Sequence, residues 1–192
     1  MKKIVLIVMT GLSMLFAGCG GQKTNVQVQA DLAPADFKYE VDEFADLQIL
    51  RYYVPGFNNL TLQQKELVYY LSMAAIEGRD ILFDQNNRYN LAIRRTLEAI
   101  YENYKGDKTT PDYKEFEVYL KRVWFSNGIH HHYGEEKFLP AFSKEFFAEQ
   151  VKVLPADKVP VKDGQTVEQF ITMITPVMFD PSVMAKKVNQ SG

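Results

Sequence analysis

Arg122-Val-Trp-Phe-Ser-Asn-Gly-Ile-His-His-His-Tyr-Gly-Glu-Glu-Lys-Phe-Leu-Pro140 is the stretch on which the reading of this chain turns. It opens as the end of an amphipathic helix, because Tyr113, Phe116, Leu120 and Val123/Trp124 recur three and four residues apart. Leu120 and Trp124 are accordingly expected in the core. Ser126-Asn127-Gly128 should stop the helix, with the glycine taking the left-handed conformation of a C-terminal cap. A short polar loop follows, dense in hydrogen-bonding groups: His130, His131, His132, Tyr133, Glu135 and Glu136. A loop of this chemistry directly after a rigid helix is a common place for binding residues.

Outward from that loop, helical spacing runs through most of the chain. Phe37, Val41, Phe44, Leu47 and Leu50 fit one stripe, ending before Pro55-Gly56. Thr61 and Gln64 make a capping box ahead of Leu67, Leu71, Ala74/Ala75, Gly78 and Leu82. Tyr89, Ile93, Leu97, Ile100/Tyr101 and Tyr104 continue until Gly106, and Thr110-Pro111 opens the helix quoted above. Ser143 caps Phe146, Phe147, Val151 and Leu154; Thr166 and Gln169 cap Phe170, Ile171 and Ile174, with a break expected at Pro176. No stretch shows sustained two-residue alternation. The expected fold is all-α, with about six helices.

The ends read differently. Lys2 and Lys3, the apolar run Ile4 to Ala17, and Gly18-Cys19 have the layout of a secretory signal, too short to span a bilayer. Phe16-Ala17-Gly18-Cys19 resembles a bacterial lipobox, with Phe16 where a leucine is usual; the other reading is an ordinary signal with an incidental cysteine. Cys19 is the single cysteine, so no internal disulfide can form, whereas acylation would give it a use. The expected organisation is a lipoprotein signal peptide at 1–18, a flexible tether at 19–35 and a globular part from 36 to 192, lipid-anchored in the cell envelope and facing the periplasm. A net charge of −2 and the absence of a basic stripe interleaved with aromatics argue against nucleic-acid binding.

Taken as chemistry, the candidates are few. Three consecutive histidines do not converge on one ion as histidines at i and i+4 on a helix do, so hydrogen bonding within the loop is the expected role and no metal site is assigned. Glu135 and Glu136 are expected as a solvated pair. Asn127 has two readings, a hydrogen-bonding partner for a peptide backbone or part of the helix cap. Glu77, Arg79 and Asp80 are expected in surface or interhelix ion pairs, and the Tyr69/Tyr70 and Tyr101/Tyr104 sets in core and rim packing. No P-loop, nucleophile elbow or dinucleotide glycine motif is present, and no catalytic residue is assigned.

Ser126-Asn127-Gly128, Tyr133-Gly134-Glu135 and Lys137-Phe138-Leu139-Pro140 resemble the N-terminal signature of the dipeptidyl peptidase III family, and Leu62 to Gln85 is similar to the helix that precedes it in bacterial members. The resemblance runs from about Asp36 to the last residue. It implies a two-lobed zinc exopeptidase that releases dipeptides from the N-terminus of oligopeptides, with this chain in the lower, peptide-binding lobe. It implies a substrate-binding set of Asn127, Gly128, His132 and Tyr133, with Tyr133 lining the subsite for the peptide's first residue. The family's His-Glu-x-x-Gly-His helix is not in this sequence. The chain is therefore expected to be the front part of such an enzyme, cut off at Gly192, inactive alone and without zinc of its own. The other class is a non-catalytic helical lipoprotein that binds peptide or a partner through the same loop.

Overall fold

A computed structural model describes residues 32–187. The expected signal at 1–18, Cys19, most of the tether and the terminus at Gly192 lie outside the described residues. Two strands come first, β1 (Glu40–Phe44) and β2 (Leu47–Leu50), followed by six helices: α1 (Leu62–Glu77), α2 (Arg79–Asn86), α3 (Asn90–Asn103), α4 (Pro111–Ser126), α5 (Lys144–Lys152) and α6 (Val167–Phe179). The described residues are thus mainly helical, with one small sheet. No helix among the described residues is long and apolar enough to cross a membrane.

The hairpin corrects the expected helix over 37–50. β1 and β2 pair antiparallel around Ala45-Asp46, with Phe44 opposite Leu47 and Glu43 opposite Gln48. In β2, Leu47 and Ile49 are half-buried while Gln48 and Leu50 face water, so a period of two underlies what reads as three-and-four spacing. Two ion pairs fasten the hairpin to α4: Lys121 Nζ to Asp42 Oδ2 at 2.8 Å and Arg122 Nη2 to Asp46 Oδ1 at 2.7 Å. The hydrogen bond from Lys121 lowers the Asp42 pKa from its ordinary value.

The caps read from the sequence are present. Thr61 and Gln64, and Thr166 and Gln169, form reciprocal capping boxes, while Thr110 and Ser143 accept from Tyr113 N–H and Phe146 N–H. Each side-chain acceptor satisfies an amide that the first helical turn leaves unpaired. Asp112 ties two of these starts together by accepting from the Ser143 N–H at 2.9 Å and its hydroxyl at 3.0 Å. The expected break at Pro176 does not occur. Proline removes the amide that would reach the Thr172 carbonyl, but α6 runs on to Phe179 because Val177 and Met178 are buried and hold the last turn.

One core joins α3 to α6. Ile93, Leu97 and Ile100 of α3 meet Phe116, Leu120 and Val123 of α4, Phe147 and Val151 of α5, and Phe170, Ile174 and Met178 of α6. Phe83 of α2, Ile129 and Phe142 complete it. Asp80, at the start of α2, pairs with Arg94 Nη1 at 2.7 Å and Arg95 Nη2 at 3.0 Å, the interhelix ion pair expected of it, whereas Glu77 and Arg79, expected to pair likewise, are in no ion pair among the described residues.

Two further expectations are corrected. The helix read from Leu62 through Leu82 is interrupted at Gly78, and none of the residues of α1 is buried; Leu67, Tyr70 and Leu71 are 58%, 68% and 60% exposed. The Tyr69/Tyr70 pair is therefore surface, not packing. Trp124 is 39% exposed, its Nε1 donating to Glu98 Oε1 at 2.8 Å, whereas Leu120 is fully buried as expected.

Candidate functional site

The loop after α4 begins from a rigid base. Asn127 itself takes the left-handed conformation, with φ 52° and ψ 42°, so the cap residue is the asparagine and not the glycine. Gly128 follows at φ 148°, and its N–H donates to the Val123 carbonyl at 3.0 Å. Its missing side chain is required: a Cβ there would clash with the Asn90 side-chain amide. Asn90 is fully buried, and its Oδ1 accepts from the Ile129 N–H at 3.2 Å. Asn86 Nδ2 donates to the Asn127 carbonyl at 3.1 Å, joined by Asn90 Nδ2 at 3.5 Å. Two side chains from the α2–α3 junction thus clamp the loop entrance, and Ile129 seals it into the core.

Beyond Ile129 the backbone folds into a small hairpin. His130 and Lys137 form a bridge, Phe138 N–H donates to the Ile129 carbonyl at 2.8 Å, and His131 N–H to the Glu136 carbonyl at 2.7 Å. The His131 ring organises the tip: its Nδ1 accepts from the N–H groups of Tyr133 at 3.2 Å and Gly134 at 2.9 Å. Accepting at Nδ1 requires the neutral ring to carry its proton on Nε2. His130 faces inward, its Nε2 2.7 Å from the Met184 carbonyl, and burial lowers its pKa below the ordinary histidine value. Lys137 Nζ donates to the carbonyls of Asp180 and Val183, docking the loop onto the segment after α6; burial lowers its pKa too.

An aromatic ladder stands on this base. His132 packs edge-on to Phe125 at 5.0 Å, stacks on His131 at 4.5 Å and lies 4.3 Å from the Tyr133 ring. Burial, then the neighbouring His131, lowers the His132 pKa, which favours a neutral ring at pH 7. Tyr133 is 88% exposed and ends the ladder in solvent. At the other end Phe125 also borders an apolar cavity of about 340 Å³ between the hairpin and α4, lined by Phe44, Ile49 and Trp124 with the Asp42–Lys121 pair at its edge.

Of the four candidate binding residues, His132 and Tyr133 are thus adjacent, Tyr133 exposed and His132 half-buried beneath it, while Asn127 and Gly128 sit at the loop base. Gly128 is buried against Asn90 with its amide bonded to Val123, so it serves the cap. The Asn127 carbonyl is held by Asn86 and Asn90, which realises the capping reading of this residue. Glu135 and Glu136 are exposed, as read from the sequence. The residues that sequence reasoning missed are Asn86, Asn90, Phe125 and the 180–184 segment.

The zinc implied by the resemblance finds no ligand set here. Among the described residues no three His, Cys, Asp or Glu side chains converge as a metal would require. His130 Nε2 is engaged by the Met184 carbonyl after α6 and His131 Nδ1 by two backbone amides of the loop, so these nitrogens are spent on the fold. What the site offers is a rigidly based aromatic surface without an acid pair or activated nucleophile. A scan of protein-family models finds no match to this chain, and a search of curated proteins finds none either.

Proposed function

We propose that this chain is the N-terminal, peptide-facing part of a zinc exopeptidase of the dipeptidyl peptidase III kind, which releases dipeptides from the N-terminus of oligopeptides. The observation that carries this reading is α1: apolar residues lie all round it, yet none of its residues is buried. A helix apolar on every side belongs inside a larger packed body. The Tyr133 ladder supplies the peptide-facing surface, and its clamped base would keep that surface in register with an extended substrate. The chemistry of peptide hydrolysis, including zinc ligation, would come from residues not in this sequence.

The reading frame beyond codon 192 tests this. A continuing frame with His-Glu-x-x-Gly-His, whose product releases dipeptides from unblocked peptides and loses that activity to a chelator, is the expected result. A stop codon at that point rejects the proposal. It would leave the second reading, a helical lipoprotein that binds peptide or a partner through residues 126–138, which the closed core of α3 to α6 favours. For the anchor, Cys19→Ser is expected to move the protein from the detergent-extracted membrane fraction to the soluble one; unchanged partitioning removes the lipid from the proposal.

A further inference from the structure

Away from the loop, a cavity of about 230 Å³ opens between the start of α3, the 160–165 turn and α6. Ala92, Phe170 and Met173 give it an apolar floor, and its walls carry Arg88 and Lys162 but no acidic side chain. Neither cation belongs to any ion pair among the described residues. The Arg88 guanidinium lies over the Tyr89 ring at 4.9 Å, and Tyr89 also lines the cavity. Gln165 adds a poorly used donor: its Oε1 accepts from the Lys162 N–H at 3.1 Å, while its Nε2 reaches only the Met173 thioether at 3.9 Å. A thioether is a weak acceptor, so this amide gains from a better one.

These features make two demands on an occupant. The exposed guanidinium and ammonium, neither of them in an ion pair, and the weakly bonded amide suit an anion with oxygens, and the planar Arg fork fits a carboxylate. The floor suits apolar surface, which inorganic phosphate lacks, and a neutral hydrocarbon would make no use of either cation. We propose that this cavity binds a small organic carboxylate with an apolar body, of the size and kind of an aryl- or branched-alkyl acetate. The assignment is independent of the peptidase reading, since no residue of the 126–138 loop takes part.

Saturation-transfer difference NMR on the full chain with phenylacetate tests it, with phenylacetamide as the neutral isostere and inorganic phosphate as the competitor. Saturable phenylacetate binding below about 10 mM is expected. The amide should bind at least about tenfold more weakly, and the double variant Arg88→Gln/Lys162→Gln should weaken phenylacetate by a similar factor. Both substituted side chains are at the surface, and an unchanged thermal midpoint would show that the variant is folded. No saturable binding, equal binding of the amide, or undiminished binding by the folded double variant overturns the proposal. Full displacement by phosphate at equal concentration also overturns it, because the apolar floor would then contribute nothing.

Discussion

α1 and α3 are similar in length, sixteen and fourteen residues, and both are rich in apolar side chains, yet α3 buries seven residues and α1 none. The difference lies in arrangement. In α3, Ile93, Leu97 and Ile100 fall on one stripe, and α4, α5 and α6 close over it. In α1, Leu67, Val68, Tyr70, Leu71 and Met73 spread round the helix, and its main neighbour is α2. A one-sided helix can be satisfied by one layer of partners; an all-round one needs cover from several sides.

The sharpest way to break this comparison is the same substitution in both helices. Leu97→Ala removes a fully buried side chain and is expected to cost about 2–5 kcal/mol. Leu71→Ala, at a position 60% exposed, is expected to stay within about 0.5 kcal/mol in this chain. Urea midpoints of the two variants measure this directly. Equal losses would mean that α1 is covered in solution, and the contrast would collapse. In a longer product of the kind proposed above, the cost of Leu71→Ala should rise towards that of Leu97→Ala.

The next effect tests the clamp that sets the loop on the α3 side of the molecule. Gly128→Ala places a methyl group against Asn90 at a positive φ, and both faults act together. A loss of about 1–3 kcal/mol is expected from the backbone strain alone. Melting that is unchanged in the variant would show that Asn90 can step aside, and that the loop base is softer than its contacts suggest.

How much of this was legible in the sequence follows from distance along the chain. The caps at Thr61, Thr110, Ser143 and Thr166 are local chemistry, settled within three residues, and each reads correctly. The hairpin does not, because Ala45-Asp46 carries neither glycine nor proline and Ala45 adopts φ 52° regardless. Phe37, Val41, Phe44, Leu47 and Leu50 happen to satisfy a helical spacing as well. Trp124 fails for a related reason: it lies beside the α4 stripe, where its indole N–H finds Glu98. At the site, the loop itself was visible as a cluster of polar residues, but its supports were not. Asn86 and Asn90 reach the Asn127 carbonyl across 41 and 37 residues, and Lys137 reaches Asp180 across 43. No local pattern encodes such partners.

A smaller effect concerns protonation of the loop's inner face. His130 is buried with its pKa lowered chiefly by desolvation, and Lys137 and Lys187 add to that lowering while its bond to Met184 and the charge of Glu135 oppose it. The folded state then holds fewer protons than the unfolded one just below the ordinary histidine pKa. Stability is therefore fully present above about 6.5 and is lost as pH falls from there towards the lowered folded value. Urea midpoints at about pH 7 and about pH 5.5 should show a decline that is shallower in His130→Gln than in the parent chain. An equal decline in both would assign the effect to other groups, His132 first among them, since its pKa is lowered in the same direction.

The smallest expected effect on stability is also the most informative for function. Tyr133 is 88% exposed, and its ring contacts are His131 and His132 at the loop tip, so Tyr133→Ala should change the urea midpoint of this chain by no more than about 0.5 kcal/mol. The backbone would keep its shape, because the bonds to His131 Nδ1 come from the N–H groups of residues 133 and 134 and not from the phenol. If the peptidase reading holds, the same substitution in the longer, active product removes one aromatic face from the subsite for the substrate's first residue. There it should lower kcat/KM by an amount worth about 1–2 kcal/mol, the scale of one lost apolar contact in a subsite. Exposure in this chain and a kinetic loss in the longer one would together show that Tyr133 waits for a ligand, whereas the core positions of α3 serve only the fold. A variant that unfolds, with its remaining folded fraction fully active, would make the tyrosine structural and move the peptide-facing surface elsewhere on the molecule.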